Sequence, residues 1–561
     1  MRRILLGALA GGIAGVALTY TVPHPLTAEL LAIAVGAACS ASMSHTHGAY
    51  VDNMLTGAAL GVPLWALISI IAFPLLYSRA PDWSAEQMRT HFPMLVGWVL
   101  YGASLGLLGQ LFNAVAEHLL GPEPPRAISQ PKEVRRIVIL GGGFAGMTTA
   151  DSLEHQFLHD ASVSITLVSE TNALLFTPML AEVAGSSLEP SHISTPLRSS
   201  LPRTEFVRAT VESVDFEKRI VKLAADPSRD AAGSREIPYD QLVLALGAVS
   251  NYLGMANVQK HALDFKSLLD AVRVRNRVIE MFERADAQTD PSSRRRLLTF
   301  VIAGGGFAGV ELAGALNDFG RGILADYPNI QPDDFKVILV HARDHILPEL
   351  SESLGRYAQQ KMAARGVLFR LNVRLTDFQP GVVALSDGEV QANTLVWTAG
   401  TAPNPLLRTF PVERDKRGAV IVETTLAVKD HIGIWALGDC AAVTDGVTGK
   451  PCPPTAQFAI REAPVLAKNI RASLEGRPLQ PFHFDSLGAL CVVGHQTACA
   501  ELAVPFSRTK FMRFSGLLAW AMWRGIYLAK LPGLERKIRV LIDWTVELFF
   551  PRDIVQTIDL K

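Results

Sequence analysis

Residues 134–146 read VRRIVILGGGFAG: a β-branched run from Val134 to Leu140, then Gly141-Gly142-Gly143-Phe144-Ala145-Gly146, then a helical pattern. Strand, G-x-G-x-x-G loop and helix in that order form the dinucleotide-binding fingerprint. Gly141 permits the tight turn, Gly143 lets backbone approach a pyrophosphate, and Gly146 lets helix pack on strand. The helix opening at Phe144 and Ala145 turns its positive dipole end toward the phosphates. A second strand, Ser164–Ser169, ends at Glu170, placing a carboxylate where an adenosine ribose presents its hydroxyls.

The pattern recurs downstream. Leu297–Ala303 leads into Gly304-Gly305-Gly306-Phe307-Ala308-Gly309, a helix opens at Val310-Glu311, and Lys336–Val340 supplies the next strand. Two such units bind two dinucleotides, or belong to a duplicated fold that has lost one site; all three glycines in both loops favour two. Tyr239–Gly247 reads as a strand ending at a glycine, Thr394–Gly400 closes the second unit in the same way, and Ile434–Asp439 ends in Gly438-Asp439. The expected fold class is α/β, with two Rossmann-like domains. Residues 134–255 and 395–510 build the first domain, and 256–394 are inserted in it as the second.

The first 120 residues read as an all-α membrane domain. Ile4–Val22, Leu26–Ser42, Met54–Tyr77 and Pro93–Ala116 are apolar, and among them only the second carries a charge, Glu29. A span needs about 20 residues; the last two stretches reach it and the first two are short, so about four spans are expected. Gly7, Gly11 and Gly15 are spaced four apart, as are Gly57 with Gly61 and Gly102 with Gly106, a spacing that lets helices approach closely in lipid. A signal peptide is the alternative for the first stretch, since Arg2 and Arg3 precede it. An even number of spans returns the remainder to the side of Arg2 and Arg3, the cytoplasmic side, although Arg79 and Arg89 then lie outside. His45, His47, His91 and His118 could build a haem or metal site, but loop histidines without a carboxylate or thiol partner read as bystanders, and no metal is expected. Residues 121–133 are proline-rich and polar, a linker. Zero formal net charge offers no nucleic-acid footprint. Five scattered cysteines without a C-x-x-C pair argue against a disulfide framework or a redox dithiol.

Two glycine loops, two strand-to-glycine returns (Gly247 and Gly400) and a late Gly-Asp resemble the two-dinucleotide flavoprotein reductases. Within that superfamily the chain is similar to the type II NADH dehydrogenases, the single-chain NADH:quinone oxidoreductases that pump no protons. Leu175-Phe176-Thr177-Pro178-Met179-Leu180, with Ala184-Gly185, resembles the family's flavin-adjacent segment. Pro453-Pro454-Thr455-Ala456-Gln457-Phe458-Ala459 resembles its Ala-Gln motif at the quinone end, and Glu311 matches the glutamate following the second glycine loop. The likeness covers about residues 134–556. It implies FAD in the first unit with Asp439 on the ribityl chain, NADH or NADPH in the second, hydride transfer to the flavin, and a membrane quinone as electron acceptor near Gln457, in a respiratory chain.

Two departures matter. The second glutamine of the family's Ala-Gln-x-Ala-x-Gln is Arg461 here; its charge would stabilise a reduced flavin or a quinone oxygen, unless it pairs with Glu462 or faces solvent. Where NADH-specific members carry an acid after the second unit's strand, this chain has His341, Ala342 and Arg343. An acid there repels the extra phosphate of NADPH; histidine does not, and Arg343 could pair with that phosphate, unless it faces solvent and His341 simply bonds the ribose. Both cofactors are expected to serve, with NADPH at least comparable. Glu311 holds the nicotinamide or relays a proton, or is a helix N-terminal acid favoured by the dipole.

Residues 511–561 read as membrane-interface helices. Phe514–Leu528 is apolar but short and carries Arg524; beyond Leu531-Pro532-Gly533, Leu534, Ile538, Leu541, Ile542, Thr545 and Phe549 form one face and Glu535, Lys537, Arg539, Asp543 and Glu547 much of the rest. Such a helix lies in the lipid interface, with Trp520, Trp523 and Trp544 suited to the headgroup zone; a hairpin docked on the enzyme or a homodimer seam is the alternative. The rival functions are a sulfide:quinone reductase, which needs cysteines such as Cys440 and Cys452 flanking the flavin, and a non-catalytic membrane-tethered redox sensor.

Overall fold

A computed structural model describes residues 2–19, 25–39, 50–76, 85–120, 134–225, 235–504 and 511–556, without the side chains of residues 2, 3, 25, 52, 76, 85–89, 91, 117 and 120. His45, His47, Arg79 and the 121–133 linker lie outside the described residues, as do the side chains of Arg2, Arg3, Arg89 and His91. The chain divides into two compact units, Met1–Ser129 and Gln130–Lys561.

The N-terminal unit is helical. Its principal helices are Arg2–Ala14, Pro25–Cys39, Tyr50–Trp65 (continued as a π-helix over Ala66–Ala72) and Ala85–Leu120. The glycine spacing is used: Gly36 lies against Gly7 and Gly11, and Gly57 against Gly102, where any Cβ would strike the facing backbone. Two buried polar pairs join the helices: Asn53 Nδ2 donates to Gln110 Oε1 at 3.0 Å and the Tyr101 hydroxyl to the Ala32 carbonyl at 2.6 Å. Among the described residues two helices rather than four, Asn53–Leu75 and Phe92–Ala116, are long and apolar enough to cross a membrane. Ile4–Ala14 and Leu26–Cys39 are shorter apolar helices, below the length a ~30 Å hydrocarbon core requires.

The second unit holds two five-stranded parallel sheets. In the first, the order is Glu205–Arg208, Val163–Ser169, Arg135–Leu140, Gln241–Leu244 and Ile434–Ala436. Arg135 pairs with Val163 and Leu140 with Val168. In the second, the order is Val367–Leu371, Lys336–His341, Thr299–Ala303, Thr394–Trp397 and Leu263–Asp264. The chain builds the whole second sheet between the fourth and fifth strands of the first, so one dinucleotide fold sits inside the other. Both are covered by helices, and the central strands are apolar throughout: Ile137 to Leu140 and Phe300 to Ile302 are fully buried, as parallel sheets require. Leu297 is not in a strand as the apolar run suggested. Asp290 caps a helix over Pro291–Leu297, accepting the Ser292 and Ser293 amides, and the strand begins at Thr299.

The tail differs more. Phe511–Gly516 is a strand paired antiparallel with Thr497–Ala503, so the helices begin only at Leu517 and run Leu517–Lys530 and Leu534–Phe549. Trp523 and Trp544 are buried at 1% and 5% exposure and do not sit in a headgroup zone. They pack against the enzyme, and Trp520 and Trp544 sandwich the Arg524 guanidinium, 4.1 and 4.6 Å from their ring centres.

Candidate functional site

Both glycine loops lie at the C-terminal ends of their sheets' central strands. Gly141 turns at φ +111°, with its N–H donating to the Val168 carbonyl at 2.8 Å. A side chain at Gly146 would strike the Gly141 carbonyl, so helix and strand touch there. Gly143 is the helix N-cap, has no side-chain cap, and faces open space with nothing within 4 Å of a Cβ position. The helix's leading amides therefore lack side-chain acceptors where the loop leaves room beside Gly143, which fits a dinucleotide pyrophosphate. The middle glycine is required as well: a Cβ at Gly142 would lie 2.6 Å from Ser169 Oγ, and one at Gly305 2.6 Å from the His341 ring. Gly304 (φ +121°) and Gly309 repeat the turn and the contact, with Thr398 Oγ1 packed 2.6 Å from a Cβ at either. At Gly306 the cradle is narrower, because Glu349 Oε1 lies 2.9 Å from the Cβ position.

His341 ends the strand beside this second loop. The Gly305 N–H donates to its Nδ1 at 3.1 Å, while Nε2 is buried without a protein partner. Arg343 is exposed, and so is Glu170 at the corresponding end in the first unit. The two glycine returns meet at the domain crossing: Ala248–Ser250 pairs antiparallel with Thr401–Pro403, the Asn404 amide donates to the Gly247 carbonyl at 3.1 Å, and the Asn251 amide to the Gly400 carbonyl at 3.2 Å.

Gly438 (φ +70°) packs with Ala145 of the first loop helix and Ala459 of the helix Ala456–Leu474, 3.1 and 3.4 Å from its Cβ position. Its N–H donates to the buried Glu462 at 2.7 Å. Burial pushes the Asp439 carboxyl up, and Lys266 and Arg417 work against that. Burial in turn pulls the Lys266 amine down, opposed by Asp439 and Asp264. Sequence reasoning missed Lys266. It lies among residues that spell only the start of a helix, Ser267 capping Asp270, and nothing local announces a cation beside Asp439.

Two further residues meet at the strand Gly488–Gly494. The Gln457 amide Nε2 donates to the Gly488 carbonyl at 3.3 Å, and the Val492 N–H donates to Glu311 Oε1 at 3.3 Å. Burial, only partly countered by that N–H, pushes the Glu311 carboxyl up to about 8. Arg461 does not pair with Glu462, whose carboxylate is turned inward to Gly438; it is exposed, with its guanidinium 5.4 Å from the centre of the Phe484 ring. Phe144 meets Phe176 edge-on at 5.9 Å, and Phe176 meets Tyr527 of the tail at 6.1 Å. Pro178 and Glu311 line one cleft under the tail helices.

Residues 135–463 match the pyridine nucleotide-disulphide oxidoreductase family, and residues 487–553 match the NDH2 C-terminal domain. A probable NADH dehydrogenase of Dictyostelium discoideum is 32% identical over 457 residues, 79% of this chain and 97% of that protein. A type II NADH:quinone oxidoreductase of Mycobacterium tuberculosis is 31% identical, over 76% of this chain and 90% of its own. The chain belongs to the type II NADH:quinone oxidoreductases. In fold it resembles NDH2 of Plasmodium falciparum solved with NADH, at a TM-score of 0.67 and 17% identity over 75% of this chain and 99% of that one. It is thus an NADH dehydrogenase of the two-dinucleotide class, using FAD and a pyridine dinucleotide, with quinone as electron acceptor.

The cysteines of this NADH:quinone oxidoreductase are free. Cys440 bonds the Leu244 carbonyl at 3.3 Å, and burial pushes it and Cys452 up to about 12. Neutral thiols are poor nucleophiles, so neither residue is set up for thiol–disulfide chemistry.

Proposed function

We propose that the enzyme binds FAD in the first Rossmann-like domain and NADH or NADPH in the second, and reduces a membrane quinone without moving protons across the membrane. What supports this reading is the strand Gly488–Gly494, which takes Gln457 at its start and Glu311 four residues on, about 13 Å along the strand. The acceptor-end and nicotinamide-end candidates are thereby fixed to one rigid element. FAD, when bound, supplies the carrier that accepts a hydride on one side and gives up two electrons on the other.

The chain's own groups supply placement and charge. The open first turn behind Gly143 holds one pyrophosphate and the turn behind Gly306 the other, with Phe144, Ala145 and Phe307 setting the helix starts. Glu170 takes the adenosine ribose of FAD. Asp439, with Lys266 beside it, holds the ribityl hydroxyls, while Gly247 and Gly400 carry the chain past the domain crossing. Glu311, protonated at neutral pH, keeps a proton at the reacting end. Gln457, near Ala456 at its helix start, and the exposed Arg461 face the acceptor, where a cation stabilises negative charge on a quinone oxygen. His341 presents no carboxylate to repel a 2′-phosphate and Arg343 is free in solvent to meet one, so NADPH serves alongside NADH.

The tail's outer face, with Leu517, Leu518, Leu541, Ile542, Phe549 and Phe550 all exposed, beds in the lipid interface. The N-terminal unit anchors through its two long helices, an even number that leaves the catalytic unit on the cytoplasmic side of Arg2 and Arg3. Steady-state oxidation of NADH and NADPH with a soluble quinone analogue tests the whole reading. Quinone-dependent turnover is expected; bound flavin that is reduced but does not turn over would leave a redox sensor, and turnover with sulfide as donor a sulfide:quinone reductase.

A further inference from the structure

Quinone reduction by this enzyme balances as NADH + quinone + H⁺ → NAD⁺ + quinol. The hydride carries two electrons and one proton, so each turnover draws one more proton from water. Glu311 holds a proton at the reacting end but is buried, and it must be recharged from somewhere.

Under the tail helices lies a cleft with a volume of about 40 Å³, lined by Glu182, Glu311, Asp318, Arg524, Glu547 and Arg552 among others. One water needs about 10–15 Å³, so about three fit. Its three carboxylates other than Glu311 are held differently. Glu547 is saturated: Arg524 and Arg552 each reach it at 2.9 Å, and the Ser187 hydroxyl donates to it at 2.8 Å. Asp318 is tied to Arg365 at 2.8 Å and accepts the His495 N–H at 2.6 Å. Glu182 is held by a single donor, the Trp544 indole N–H at 3.1 Å on Oε2, and its Oε1 is 3.9 Å from Arg524. Of these three it is the carboxyl with an oxygen left to exchange a proton with Glu311.

We propose that Glu182 is the relay that takes a proton from the waters of this cleft and passes it to Glu311. The proposal rests on reading Glu311 as the proton-holding group at the reacting end. Each transfer leaves Glu182 as a carboxylate and Glu311 as an acid, and the cleft then reprotonates Glu182. Burial raises both carboxyls toward neutral pH, so each can hold and release a proton there. Around Glu182, Arg524 and Arg552 lower it and Glu547 raises it; around Glu311, the Val492 amide lowers it and Glu182 raises it. Tyr527 and Cys491 also face Glu311, both held neutral by burial.

Glu182→Gln keeps an acceptor for Trp544 but cannot exchange a proton. In the holoenzyme it should slow quinone-linked turnover about 100-fold, within the range a positioned proton donor contributes, and raise the solvent deuterium isotope effect. Glu182→Asp should recover part of the rate. In infrared pH titrations, the wild type should show a carboxylic C=O band titrating near neutral pH that Glu182→Gln removes. Glu547→Gln, which deletes an anion and frees Arg524, should move that band to lower pH. Wild-type turnover in Glu182→Gln, an unaltered band, or equal loss in the Gln and Asp variants would each overturn the relay. Glu311→Gln separates the two ideas: if it is slow while Glu182→Gln is not, the relay alone falls, and if it turns over normally the reading of Glu311 falls.

Discussion

Replacing Gly143 with alanine probes the first cradle without touching the fold that carries it. A Cβ there meets no heavy atom within 4 Å, and the residue's φ of −77° suits any L residue. The apoprotein should therefore keep its stability to within about 0.5 kcal/mol. The loss falls on the ligand, because a methyl group at the helix N-cap holds a phosphate oxygen away from an amide that no side chain satisfies. A hydrogen bond to a charged group contributes about 1.5–3 kcal/mol, and about 1.4 kcal/mol is tenfold in affinity, so the Kd for FAD should rise about 10- to 150-fold. Gly142→Ala and Gly146→Ala are the contrasting cases. Their new methyls would meet Ser169 and Leu197, or the Gly141 carbonyl, and should destabilise the protein with or without FAD. The assay is a fluorescence titration of apoprotein with FAD, paired with thermal melts of apo- and holoprotein. The expected pattern for Gly143→Ala is an unchanged apo Tm and a lowered holo Tm, since ligand stabilisation falls as Kd rises. An unchanged Kd, or an apoprotein as destabilised as the Gly146 variant, would refute the reasoning.

His341→Glu can still accept the Gly305 N–H that His341 takes at 3.1 Å while adding a charge that repels a 2′-phosphate. The ratio of kcat/KM for NADH over NADPH should rise about tenfold or more, roughly 1.4 kcal/mol, mainly through NADPH; a wild-type enzyme strongly selective for NADH would sink the idea. Gln457→Ala and Arg461→Ala should slow quinone-driven reoxidation in stopped-flow traces more than reduction by dinucleotide, and equal slowing of both halves would move these residues away from the acceptor end. Glu311 binds a proton in the folded protein up to about pH 8 against an ordinary carboxyl value of 4.5, so the folded state holds more protons than the unfolded across that window and its stability falls as pH rises through it. Glu311→Gln should flatten the decline in Tm between pH 5 and pH 9, and an equally steep decline would place the proton elsewhere.

Local pattern carried the reading where the physics is local. Strand, glycine turn and helix are contiguous at Val134–Gly146 and Leu298–Gly309, so both loops and the nesting of one Rossmann-like fold in the other could be read directly from residue order. The tail shows where that stops. The stripe Ile538, Leu541, Ile542 and Phe549 is indeed exposed, as an interfacial helix requires. Its opposite face, rich in charge, reads as solvated because charges are seldom buried unless paired. Asp543 instead takes His192 at 2.7 Å, and Glu547 takes Arg524 and Arg552. His192 lies 351 positions from Asp543, so no window of sequence contains that pair. Part of the charged face is thereby turned inward as ion pairs beside the buried Val540 and Trp544, while Glu535 and Arg539 stay exposed. Removing one partner of a buried ion pair costs several kcal/mol because a lone charge is left behind. Peeling the tail away would take Trp544 and Arg524 from Glu182 and Asp543 from His192, so the tail's exposed apolar stripe and the cleft that reaches Glu311 hold or fail as one.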